Sequence, residues 1–100
     1  MYGLMGKITA AAGQREALVA ILMENTGGMP GCRSYIVARD KAEADAIWVT
    51  EVWDSAESHR GSLQLAGVQQ AIARARPLIA GFSNRVETEP VGGIGLATGK

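Results

Sequence analysis

The sequence predicts an α+β fold with its elements in the order β-α-β-β-α-β. Three observations carry that prediction. Apolar and polar residues alternate near both ends of the chain, two stretches space their apolar residues as helices do, and a β-branched and aromatic run lies between them. At 100 residues the chain is one domain, expected over residues 1–90 with a Gly-rich tail at 91–100. A chain of this length buries roughly two-thirds of the surface its unfolded form exposes, enough for one modest core.

Residues 2–10 read as a strand with Tyr2, Leu4, Gly6 and Ile8 on one face. Gly13 breaks the pattern, and residues 14–25 read as a helix. Leu18, Ile21, Leu22 and Asn25 form its apolar stripe, widened by Ala17 and Met23. Gly27-Gly28 ends that helix, and Pro30-Gly31 makes a turn. Residues 32–40 form the second strand, and the charged segment 41–45 has the length of a hairpin loop. Residues 46–53 are the strongest strand, β-branched and aromatic throughout. Both of its faces are largely apolar, so both should be covered. Helices in so small a domain suffice for one face only, and a second subunit is the expected cover for the other. Asp54 and Glu57 have the spacing of a capping box that opens the second helix. That helix presents Ala56, His59, Arg60 and Leu63, then, after a break near Gly67, Val68, Ala71, Ile72 and Ala75. Pro77 stops it, and residues 82–89 alternate as a fourth strand with Phe82, Asn84, Val86 and Thr88 on one face. The order is the split βαβ, or ferredoxin-like, arrangement.

Composition excludes several functions. Ten Lys and Arg balance ten Asp and Glu, so the chain lacks the electrostatic footprint of a nucleic-acid binder. The lone Cys32 allows no internal disulfide, and one Cys with one His cannot supply the usual zinc ligands, so no metal is expected. The first seven residues lack the pattern of a signal peptide, and no apolar run reaches the roughly 18 to 20 residues of a membrane span. A soluble, cytoplasmic protein is expected. Gly93-Ile94-Gly95 is no dinucleotide fingerprint, because Thr98 stands where the third glycine belongs and no helix pattern follows. Gly99-Lys100 ends the sequence without a phosphate-loop context. In residues 91–100, Ile94 and Leu96 either fray with the tail or dock on a partner subunit.

His59 stands out as the only histidine, on the inward helix face with Ala56 and Leu63. Imidazole is the side chain that ordinarily titrates near neutral pH, which suits a general base. A core histidine satisfied by a carbonyl or carboxylate is the plainer reading. Glu51 lies mid-strand, where a carboxylate is costly unless paired. It could orient His59 or a substrate hydroxyl, or simply pair with Arg33, Arg39 or Arg85. Trp48 and Trp53 occupy opposite strand faces, one suited to a pocket and one to an interface, although both could be core. Tyr35 could donate to a phenolic ligand. Met5, Met23 and Met29 suit an adaptable pocket. Nothing marks Cys32 as reactive.

Taken together, residues 2–89 resemble the antibiotic biosynthesis monooxygenase family, its quinol-oxidising members most of all. The resemblance rests on Gly6-Lys7-Ile8-Thr9-Ala10 before a helix opened by Gly13, on Pro30-Gly31-Cys32 before the Tyr35 strand, and on Glu51-Val52-Trp53-Asp54-Ser55. His59 follows six residues after that tryptophan, and Pro77 precedes the last strand. The resemblance implies a dimeric α/β barrel in which the sheets of two ferredoxin-like subunits face one another. It implies an apolar pocket for a flat aromatic and oxidation of quinols or electron-rich phenols by O2 without flavin, haem or metal. His59 and Glu51 would then be catalytic. Trp53, Tyr35, Trp48, Leu63, Ile72 and Phe82 would bind substrate. A non-enzymatic dimeric binding or stress-response module of the same fold is the alternative, and an oxygen-independent isomerase is a third. Haem degradation by an Asn-Trp-His constellation does not match, since the first strand holds no Asn.

Overall fold

The computed structural model describes residues 1–24 and 26–96. Four strands, β1 (Tyr2–Ala10), β2 (Cys32–Arg39), β3 (Ala46–Trp53) and β4 (Ile79–Thr88), form one sheet in the order β2-β3-β1-β4. Every neighbouring pair is antiparallel. Three helices, α1 (Arg15–Met23), α2 (Ala56–Ser62) and α3 (Ala66–Ala75), are joined by a single 3-10 turn at Arg76–Leu78 to β4. The arrangement is ferredoxin-like, βαββααβ. No helix among the described residues is long and apolar enough to cross a membrane.

The core lies between the helices and one sheet face. Leu18, Ile47, Val49, Ala10 and Ala75 are buried there, with Ile8, Val19, Ile21, Leu22, Val37 and Ile79 packed around them. The apolar stripe of α1 is narrower than its sequence suggests, because Ala17 and Met23 are exposed and Val19 packs in their place. The predicted end of that helix at Asn25 lies outside the described residues. Arg15 ties α1 to the β2–β3 loop, donating from Nη1 to the carbonyls of Asp40 and Glu43 at 3.1 Å each.

The second helical region differs from expectation in two ways. Its N-cap is Ser55, not Asp54: the Ser55 hydroxyl accepts the backbone N–H of Ser58 at 3.1 Å. Asp54 is occupied elsewhere. Its carboxylate accepts from Arg33 Nε at 2.5 Å, and its N–H donates to the Gly31 carbonyl. The break comes earlier than Gly67. Residues 63–65 tighten into i to i−3 hydrogen bonds, so Gly67 falls in the first turn of α3. The Ser62 hydroxyl donates to the His59 carbonyl at 2.6 Å and competes with the continuing helix.

β4 begins at Ile79, three residues before the alternation starts, because the 3-10 turn that holds Pro77 ends at Leu78. It also breaks that alternation. Met5 pairs with Val86 and Lys7 with Ser83, so Asn84 and Arg85 together oppose Gly6. This is a β-bulge, and Asn84 within it takes a left-handed φ of 53°.

Candidate active site

Between the sheet and the helices lies a cavity of about 360 Å³. Ile8, Tyr35, Glu51, Trp53 and Phe82 line it from the strands, His59, Ser62 and Leu63 from α2 and its end, and Val68, Ala71, Ile72 and Ala75 from α3. Ile21, Leu22 and Met29 contribute from α1 and the turn after it. The walls are apolar except for a few convergent polar groups, the usual character of a small-molecule site.

His59 reaches this cavity because the Ser55 cap starts α2 directly after β3, and α2 packs against that strand. Its imidazole is clasped by two aromatic rings. Trp53 meets it edge-on at 5.5 Å between centroids, and Tyr2 lies at 5.7 Å, tilted by 35°. His59 Nε2 stands 3.9 Å from Glu51 Oε1, within ion-pair range once the imidazole is protonated. Glu51 Oε1 also accepts from Trp53 Nε1 at 2.9 Å. Burial, the largest influence, pushes the Glu51 carboxyl above the usual carboxylate range, against the Trp53 hydrogen bond and the charges of His59 and Arg85. Neither Arg33 nor Arg39 pairs with it, for Arg33 holds Asp54 and Arg39 holds Glu16.

Tyr35 stands beside Glu51 across the β2–β3 ladder. Burial, then the nearby Glu51 charge, raises its phenol far above the ordinary value, so at neutral pH it remains an O–H donor. Leu63, Ile72 and Trp53 line the cavity as their sequence positions imply, and Phe82 stands at its mouth, 73% exposed. Trp48 does not. It lies on the opposite sheet face, where its Nε1 donates to Asp40 Oδ2 at 2.8 Å and Lys7 sits over its ring. The alternation of β3 separates the two tryptophans but carries no mark of which face the helices cover. Cys32 is half-buried, and burial raises its thiol.

Sequence reasoning did not single out Tyr2. Its ring joins the site because β1 and β3 pair Tyr2 with Trp53, and its hydroxyl donates to Glu87 Oε2 at 2.7 Å. Had that register been inferred, the shared face of Tyr2, Leu4 and Ile8 would have pointed to it. No cluster of three or more His, Cys, Asp or Glu that could hold a metal occurs among the described residues.

Comparison with known proteins gives a consistent result. The sequence model of the antibiotic biosynthesis monooxygenase family matches residues 1–74. A crystal structure from Chloroflexus aurantiacus, named as a candidate antibiotic biosynthesis monooxygenase, is 59% identical, with a TM-score of 0.93 over 96% of this chain and 98% of that one. One from Deinococcus radiodurans with the same naming is 26% identical, with a TM-score of 0.77 over 94% and 96% of the two chains. A third, from Caulobacter crescentus, shares the fold at 20% identity and a TM-score of 0.75, over 91% and 90%. No curated protein matches the sequence.

Proposed function

This chain belongs to the antibiotic biosynthesis monooxygenase family, and from that premise we propose that it oxidises a quinol or electron-rich phenol with O2, without a cofactor, in the cavity beside His59. One observation carries the reading. A single imidazole, held by two aromatic rings and 3.9 Å from a carboxyl, faces a mostly apolar chamber large enough for one aromatic ring.

The chemistry needs little more than that. Triplet O2 reacts slowly with closed-shell organic molecules, so the substrate must supply an electron, and a phenolate does so far more readily than a phenol. His59 takes the phenolic proton, and Glu51 stabilises the imidazolium that forms. Tyr35 donates a hydrogen bond toward the phenolate oxygen and stabilises its charge. Electron transfer to O2 and recombination form the new C–O bond. His59 returns its proton to the peroxide, and loss of the ring hydrogen from the same carbon as the O–O bond breaks releases water. For a hydroquinone the balance is quinol plus O2 giving hydroxyquinone plus water.

The proposal includes a homodimer. The sheet face opposite the helices carries Ile36, Trp48, Val52 and Val86, and Ile36 and Val86 are exposed in the single chain. A second copy would cover them.

The test is oxygen uptake by metal-stripped protein over a panel of hydroquinones and catechols, with autoxidation subtracted. Wild type should exceed background, and His59→Ala should lose about 10²-fold or more, the usual worth of a general base. Added imidazole should restore part of the loss. Equal uptake by the two proteins would remove His59 from the reaction. Tight anaerobic binding without uptake would favour a binding module instead.

A further inference from the structure

On the same sheet face as His59's cavity lies a second hollow of about 350 Å³, with Gly6 on its floor. A Cβ at Gly6 would meet nothing closer than 3.9 Å, and the residue does not use a left-handed φ. Neither crowding nor backbone geometry therefore calls for glycine here. What the missing side chain leaves is room. Opposite Gly6, the bulge at Asn84 and Arg85 changes which β4 side chains look into that room. Strict alternation would send Phe82 and Arg85 to opposite faces, yet both line the hollow. The two chambers share Ile8, Tyr35, Glu51 and Phe82 as walls, so a ligand in one can extend into the other. The second chamber alone has Arg85 on its wall. No carboxylate among the described residues lies within ion-pair distance of that guanidinium, although it interacts with the Tyr2 hydroxyl and its charge acts on Glu51.

We propose that the hollow over Gly6 is a second subsite, that it takes a carboxylate-bearing substituent of the aromatic ligand, and that Arg85 determines this specificity. The proposal rests on the reading that the first chamber holds the aromatic ring. A single hydroquinone ring fits within that first chamber. Its side chain then crosses the bare backbone of Gly6 and ends at a planar fork of N–H donors matched to a carboxylate. Arg85 itself is exposed, so water screens the contact and the expected gain is about 10-fold, the lower end for a charge-assisted pair.

The experiment measures anaerobic binding, so it does not depend on turnover. Three probes are titrated calorimetrically: methylhydroquinone, 3-(2,5-dihydroxyphenyl)propanoate and the primary amide of that acid. The wild type should bind the acid about 10-fold tighter than the amide. In Arg85→Gln the ratio should fall to near one, with Arg85→Lys between. Gly6→Val should weaken the acid about fivefold relative to methylhydroquinone, and Gly6→Ala, whose Cβ has space, should do so by less. Equal binding of acid and amide to wild type, or an unchanged ratio in Arg85→Gln, would overturn the subsite while leaving the ring chamber standing. If methylhydroquinone itself does not bind, the ring chamber fails and the subsite fails with it.

Discussion

Glu51 carries its carboxyl in surroundings that favour the neutral form, and this has a measurable sign. The unfolded side chain ionises near 4.5, and the folded one does so at higher pH. Over that interval the native state holds a proton that the unfolded chain has released, so stability falls as pH rises through it. Glu51→Gln lacks this slope. Its stability relative to wild type should improve between pH 4 and pH 7, read from urea midpoints at the two values, and a pH-independent difference would contradict the assignment. Tyr2 makes a second prediction at this scale. Removing its ring in Tyr2→Ala should loosen His59 and slow the proposed oxidation about 10-fold, whereas Tyr2→Phe keeps the ring and should lose less. The sequence holds one histidine, so its imidazole NMR signals are unambiguous. They should move in Tyr2→Ala as the ring current disappears, and unmoved signals would count against the contact. His59 and Glu51 were legible in the sequence because each is an expensive residue in an apolar pattern. Tyr2 was not, because a tyrosine at the start of a strand costs nothing and its importance comes only from its partner across the ladder.

The start of α2 decides whether His59 is in place. Ser55→Ala removes the cap and should cost about 1 kcal/mol of unfolding free energy, while Asp54→Asn, which weakens a partly exposed pair with Arg33, should cost less. Chemical denaturation of both variants distinguishes them, and the reverse order would restore Asp54 as the cap. Gly31 supports the same turn from below. It takes φ +81°, and a Cβ there would lie 2.7 Å from Ser58 Oγ. Gly31→Ala should therefore cost about 2 kcal/mol or more, from the left-handed conformation and the displacement of α2 combined. The bounds of β1 and β3 follow their alternation and β-branched density closely. The capping choice did not follow from sequence, since Asp54 and Ser55 are both able caps and only the folded position of Arg33 separates them. The faces of β4 misled for a related reason. A bulge adds one residue to a period of two, and nothing local in Ser83-Asn84-Arg85 announces it except the tolerance of asparagine for positive φ.

For the whole molecule, the helices cover one face of the sheet and leave the other open in the single chain. If two copies pair through that face, light scattering should give twice the chain mass, and Ile36→Lys should shift it toward one chain, since it places a charge where 57% of the side chain is now exposed. An unchanged mass in Ile36→Lys would move the contact elsewhere. The sheet's two edges offer a different outlet for self-association, and both are interrupted. On β2 the register slips between Cys32 and Ser34, and on β4 it slips at Asn84. A flat edge strand recruits further strands without limit, whereas a broken one is a poor template. A face shared between two copies closes on itself, but an edge does not. The bulge that turns Arg85 into the hollow thus also leaves β4 a poorer template for further strands. Deleting Asn84 would heal the ladder with Arg85 directly across from Gly6, and that smoother chain should bind thioflavin and cloud on storage where the wild type stays clear.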